Sequence, residues 1–208
     1  MGPTATHVAA GRPITFPVTP DGHAAGLGSL VVGMGCFWGA EELFRTLDGV
    51  TDTAVGYAGG AACDPTYRDV CSDTTGHAES VLITYEPQRI SMTDLLTYFW
   101  ENHDPTQGDR QGNDIGSQYR SIILTTRSAQ HAVAVQSMNI YQQRLHDADR
   151  GMITTTIAPL ERFWHAEDYH QRYLVKNPGA YSNQRFNGVT CPTGAIRRVE
   201  AAAVEVPR

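Results

Sequence analysis

A change of hydrophobic period at one cysteine constrains this chain more than any other feature. Leu30, Val31 and Val32 form a short apolar run that enters Gly33-Met34-Gly35, whereas Phe37, Ala40, Phe44 and Leu47 recur at helical spacing. A strand therefore hands over to a helix at Cys36. The helix is bounded near residues 36 and 48, with Gly49 where a left-handed cap is expected. Glu41 and Glu42 lie early in it, and Arg45 follows Glu41 by four residues, the spacing of a helical ion pair. At a helix start, unpaired amides and the positive end of the macrodipole face the Cys36 sulfur and favour thiolate over thiol. A cysteine among apolar residues is ordinarily a small core hydrophobe. Gly35 and Gly39 shift that balance, because glycines on both sides let backbone or substrate approach the sulfur. Phe37 and Trp38 are adjacent and cannot both point into the core from one turn, so one of them is expected to line a pocket.

Strand and helix signals alternate through the rest of the chain. Strands are expected at residues 51–57, 80–85, 121–125 and 152–158, and helices at 91–102, 128–145 and 166–174. Ser91 with Asp94 is an acidic variant of the capping box, and Asn177-Pro178-Gly179 ends the last helix. Residues 63–75 read as a loop, as does the polar stretch 103–118, HDPTQGDRQGNDIGSQ, and loops that long usually have a task. Alternation without a strict βα repeat predicts an α/β (α+β) fold, a two-layer sandwich with a mixed sheet. The length suits a single catalytic domain over residues 29–197, with an irregular segment at 177–197. An extended N-terminal arm (1–28) and a tail (198–208) flank it.

The charge balance narrows the partners. Sixteen Lys plus Arg against 22 Asp plus Glu give a net charge of -6, which argues against nucleic acid or an anionic membrane. Neither a secretory signal nor an apolar run of membrane-spanning length is evident, so a cytoplasmic protein is expected. The four cysteines, Cys36, Cys63, Cys71 and Cys191, are too sparse for a secreted disulfide scaffold and form no CxxC pair. Redox chemistry or inert burial suits them better than metal binding.

The string GCFWGAEELF, then GVTDTAVGYAGG, TYRDVCSDTTGHAESVLITYEP, FWENHDPTQGDRQGNDIGSQYRS and AEDYHQRYLVKNP, resembles the A-class peptide methionine sulfoxide reductases in order and content over residues 30–191. That resemblance implies a ferredoxin-like core and reduction of the S epimer of methionine sulfoxide, free or in proteins. It also assigns roles. Cys36 is the nucleophile on sulfur and Glu79, in GHAE, the acid for oxygen. Tyr67 and Tyr119 offer hydroxyls to that oxygen, and Asp114 orients the polar groups. Phe37 and Trp38 cradle the substrate methyl. A glutamate next to two large aromatics would lose solvation and stay protonated, as a proton donor must. No cofactor is implied beyond an external thiol reductant: thioredoxin, a glutaredoxin-like protein or dithiothreitol. The partners are then methionine S-sulfoxide and a thioredoxin-type protein, and the enzyme is expected to be a monomer.

The chain departs from the family pattern at the second thiol. Ser182 stands where the first resolving cysteine is usual, and Cys191, in GVTCP, matches a later cysteine and is the remaining resolver. Cys63 and Cys71 are expected to be bystanders. Two other classes compete. In one, Cys36 works with a histidine, His77 or His103, as a thiol peroxidase or acyl-transfer enzyme. In the other, the chain binds or senses oxidised methionine without turning it over.

Overall fold

The computed structural model describes Pro13–Ile14 and residues 26–204. β2 (Gly28–Met34) is buried along its whole length. The cause is its position: β4 (Ala78–Tyr85) and β7 (Ser121–Thr125) pair with it antiparallel on its two sides. A strand covered on both faces needs an apolar run like that of residues 30–32. β3 (Val50–Ala58) pairs antiparallel with β4, and β9 (Phe163–His165) antiparallel with β3. β8 (Thr156–Pro159) lies parallel to β7, and the two-residue β1 (Pro13–Ile14) pairs with β9 at the opposite edge. The result is a mixed α/β fold around a seven-stranded sheet in the order β1-β9-β3-β4-β2-β7-β8.

Strand periodicity divides the core. Leu30, Val32, Met34, Val55, Tyr57, Val81, Ile83 and Ile123 pack with helices α1 (Phe37–Arg45), α3 (Met92–Glu101) and α4 (Ser128–Asp147). Those helices contribute Phe37, Phe44, Leu95, Phe99, Trp100 and Tyr141, each worth roughly 1.5–3 kcal/mol when fully buried. Residues of the opposite parity, Val31, Ala58, Ala78, Leu82, Ile122 and Leu124, join Leu160 and Phe163 in a smaller cluster. The capping box expected at Ser91 and Asp94 is present at the start of α3.

Several expectations are corrected. The loop at 63–75 contains α2 (Tyr67–Cys71), started by a second capping box between Thr66 and Asp69. Glu79 lies inside β4 and not ahead of it, because the strand starts at Ala78. The strand expected from 152 begins at Thr156, since the amides of Ile153 and Thr154 are taken by Gln142 and by the Pro105 carbonyl. The helix expected over 166–174 shrinks to α5 (Tyr173–Lys176). There the side chains compete with helix formation: Gln171 both accepts from the Val55 amide and donates to its carbonyl, and Arg172 adopts φ +51°. The segment read as irregular to 197 and the tail beyond are partly replaced by α6 (Thr193–Val204), anchored by the fully buried Ile196 and an Arg197–Asp94 ion pair. The long polar loop holds only the paired β5 (Arg110–Gln111) and β6 (Asp114–Ile115) and a 3-10 turn, Ser117–Tyr119. Arg45 pairs with Glu42 and not with Glu41. Most of the expected N-terminal arm, and residues 205–208 of the tail, lie outside the described residues. No helix among the described residues is long and apolar enough to cross a membrane.

Candidate active site

β2 delivers Cys36 through Gly35, whose φ of +95° is a conformation that L side chains rarely adopt. Cys36 is the N-cap residue of α1. Its sulfur meets the amides of Trp38 and Gly39, the unpaired groups the helix start was expected to offer. These favour the thiolate but do not prevail. Burial, then the nearby Glu79 carboxyl, push the thiol far above its ordinary range, and Asp114 adds to the shift. The net direction is toward the thiol, opposite to the pull of the helix start that the sequence suggested. The helix terminus competes here with the removal of water from a sulfur only 8% exposed.

Glu79 sits opposite Tyr57 in the β3–β4 register and turns toward the helix-covered face. Its Oε2 accepts the first amide of α1, Phe37 N–H, at 3.1 Å. This bond ties the carboxyl to the residue after the cysteine. Burial pushes its pKa up to about 8, the Phe37 bond opposes that shift, and Asp114 reinforces it. At neutral pH the group carries a proton, as the sequence suggested. Tyr67, the first residue of α2, and Tyr119, in the 3-10 turn, both lie within electrostatic reach of Glu79, and their phenols are held neutral by burial and by that neighbour. Asp114, on β6, accepts from Asn183 Nδ2 at 2.7 Å and from the Tyr181 side chain. Four polar residues named from the sequence, Glu79, Tyr67, Tyr119 and Asp114, therefore form one electrostatic cluster with Cys36, Tyr67 joining it through Glu79.

The two aromatics differ in burial: Phe37 is 1% exposed, and Trp38 is half-buried and packs against the same core cluster. The Trp38 ring stacks on Tyr173 at 3.8 Å and 11°, and its Nε1 donates to His170 Nδ1 at 3.0 Å. The His170 ring also meets Phe37 at 5.0 Å and Tyr67 at 4.6 Å between centroids. Sequence reasoning missed His170, Tyr173 and Glu167. All three fall in AEDYHQRY, within the segment 166–174 that the sequence predicts as a helix. Its density of polar and aromatic side chains without apolar periodicity was the available signal.

Ser182, at the usual first resolving position, and Cys191, the expected resolver, are held by different partners. Residues 182–184 fold against the turn that carries Cys36: Gln184 Nε2 donates to the carbonyls of Met34 at 2.8 Å and Cys36 at 3.1 Å. Gly39 permits this, since a Cβ there would stand 2.2 Å from Ser182 Oγ and 2.0 Å from Gln184 Oε1. Cys191 is held elsewhere. Its amide donates to Glu101 Oε1 at 2.7 Å, its sulfur meets the Thr97 hydroxyl, and burial pushes its pKa up to about 12. It shares no hydrogen-bond partner with Cys36, and all four cysteines are free thiols.

Neither competing histidine faces the nucleophile as a base. His77 accepts from the Gly60 amide and meets the Ala62 carbonyl, while His103 bridges the Phe99 carbonyl and Ser121 Oγ. Burial lowers both pKa values, that of His103 to about 4. Among the described residues no group of three or more His, Cys, Asp or Glu is placed to hold a metal ion.

Comparison with known proteins places this geometry. The family described as peptide methionine sulfoxide reductase matches residues 28–193. A relative from Salinispora arenicola, peptide methionine sulfoxide reductase MsrA, is 52% identical over 200 residues, covering 90% of each chain. Among solved structures, methionine sulfoxide reductase A of Corynebacterium diphtheriae superposes with a TM-score of 0.74 at 43% identity, over 81% of this chain and 83% of that one. Mxr1 from Saccharomyces cerevisiae, solved in complex with Trx2, shares the fold at a TM-score of 0.52 and 23% identity, over 79% of this chain and 92% of its own.

Proposed function

The chain belongs to the peptide methionine sulfoxide reductase family, and on that premise we propose that Cys36, Glu79, Tyr67, Tyr119 and Asp114 carry the reduction, with Phe37 and Trp38 as the methyl cradle. The protein is an oxidoreductase that reduces methionine sulfoxide at the expense of thiols. The observation that carries the residue assignment is the bond from Phe37 N–H to Glu79 Oε2, which sets a protonated carboxyl beside a buried thiol.

A sulfoxide has an electrophilic sulfur and a poor leaving oxygen. Glu79 gives its proton to that oxygen while Tyr67 and Tyr119 donate hydrogen bonds to it, and the Cys36 sulfur bonds to the substrate sulfur. The carboxylate left on Glu79 takes up the thiol proton. The sulfur–oxygen bond of the substrate breaks as the oxygen passes to Cys36, giving methionine and Cys36 sulfenic acid: the substrate sulfur gains two electrons and the cysteine sulfur loses two. With the aromatics on one side of the sulfur and the proton donors on another, methyl and oxygen have fixed places, and the S epimer is the one accepted. A second thiol then condenses with the sulfenic acid and releases water. Cys191 is the resolver within the chain, and a thioredoxin-type protein or a small thiol completes the cycle; the yeast Mxr1 complex with Trx2 supports a thioredoxin. We also read the core as ferredoxin-like and two-layered, supported by the order β3-β4-β2-β7 and by helices on one face.

Dimedone trapping after one equivalent of S-sulfoxide tests the assignment. The adduct is expected on the Cys36 peptide in a Cys191→Ser background, where no resolver within the chain competes. Methionine release with an unlabelled Cys36 would contradict it.

A further inference from the structure

Residues 166–173 form a strap of little regular structure whose side chains reach three different parts of the site. Gln171 fastens it to the backbone of Val55, and the Arg172 amide donates to Glu41 Oε2 at 2.7 Å. Glu41 is itself a buried carboxyl on α1 that also accepts from Thr53 Oγ1. Between these anchors the strap presents Glu167, whose two oxygens divide their work. Oε2 accepts the Tyr57 hydroxyl at 2.8 Å, and Oε1 accepts the Tyr67 amide at 2.9 Å.

Both bonds have consequences for the acid. Tyr57 is the direct cross-strand partner of Glu79. Tyr67 opens α2, a helix of five residues with one turn's worth of hydrogen bonds and little stability of its own. Its first amide has no partner within the helix, so a carboxylate there both satisfies an orphan donor and suits the positive end of the helix. Burial opposes the charge on Glu167, but the Tyr67 amide and the Tyr57 hydroxyl are among the bonds that outweigh it and hold its pKa below the usual carboxylate range. The anion is the form that accepts both bonds at neutral pH.

We propose that Glu167 is a positioning residue for the reduction: by bridging Tyr57 of β3 and the first amide of α2, it fixes the Tyr67 hydroxyl relative to Glu79. The inference rests on the oxygen-binding role given above to Tyr67. Without the bridge, α2 keeps its own capping box but loses its tie to the strand pair that carries the acid.

A double-mutant cycle on steady-state kcat and KM, with saturating dithiothreitol as the only reductant, separates positioning from general support. Glu167→Ala is expected to lower the rate roughly 10- to 100-fold with KM changed less than about threefold. Glu167→Gln, which keeps one carbonyl oxygen, should lose less. In a Tyr67→Phe background the Glu167 substitutions should cost little more, because the group they position is gone. Equal fold losses with and without the Tyr67 hydroxyl, or no loss at all, would overturn the proposal. If Glu167→Ala does not fold, judged by its thermal transition, the cycle is run with Glu167→Gln and read by the same criterion. A Tyr67→Phe enzyme as fast as the parent would refute the role of Tyr67 itself, a failure distinct from additivity.

Discussion

At the scale of single residues, the account turns on Glu79 and Cys36, whose pKa values burial raises; a water-exposed peptide would ionise the carboxyl at neutral pH. Glu79 titrates at about 8 because its carboxyl is almost wholly buried, with one backbone amide for compensation. Single-turnover reduction should therefore fall as pH rises through about 8, where the proton donor is lost, and Glu79→Gln should remove that limb while lowering the rate on the order of 10²- to 10⁴-fold. Stability gives an independent check. A carboxyl whose folded pKa is raised binds its proton more tightly in the folded state, so its contribution is fully present below the unfolded value of roughly 4.3 and declines until the folded pKa near 8 is passed. The Glu79→Gln protein should accordingly melt higher than the parent at pH 8, and the gap should close by about pH 4. An equal gap at both pH values would mean that Glu79 is not buried as a neutral acid. The identity of both residues was legible from the sequence, through the strand-to-helix change at Cys36 and the GHAE string around Glu79. The ionisation of Cys36 was not, because a helix start is visible in sequence while the depth of burial opposing it depends on chain segments far away.

At the scale of elements, β2 and α1 were legible because periodicity and burial agree there: an apolar run becomes a central strand, and Phe37, Ala40 and Phe44 form one buried face. The strap at 166–173 was not, since its conformation is set by bonds to Val55, Tyr57 and Tyr67 that leave no period in the sequence. α2 was hidden by its length, and α6 by an alanine-rich composition that reads equally as tail or helix until Ile196 finds its pocket. Gly39 links α1 to the C-terminal segment and allows a test with a definite sign. In an exposed helix Gly→Ala would stabilise by about 1 kcal/mol. Here the added Cβ meets Ser182 and Gln184, so Gly39→Ala should instead destabilise, by roughly 1–3 kcal/mol in denaturant unfolding. Stabilisation would mean that residues 182–184 do not rest on α1. Ser91→Ala should cost about 1 kcal/mol through loss of the α3 cap, with no change in catalytic rate.

At the scale of the whole molecule, the two halves of the catalytic cycle are unevenly built. On the proposed assignment, the reducing half draws its side chains from the start of α1, β4, α2 and the polar loop. The regenerating half is split, with Ser182 beside α1 but lacking sulfur and Cys191 holding sulfur but packed against α3. A Cys36–Cys191 disulfide therefore requires Cys191 to leave Thr97 and Glu101. Mass mapping after one turnover without added thiol should find that disulfide, with two thiols lost, and a protein that loses one thiol would instead depend on an external reductant for each cycle. Ser182→Cys should place a sulfur next to the helix start and speed disulfide formation in the first turnover, and an unchanged rate would mean that position 182 does not reach Cys36. The central claim is that this site reduces one epimer of methionine sulfoxide through Cys36. The most direct measurement supplies both epimers with dithiothreitol and follows each by chromatography: the S form should be consumed, the R form should persist, and Cys36→Ser should consume neither, whereas equal loss of the two epimers or survival of the S form would contradict the account.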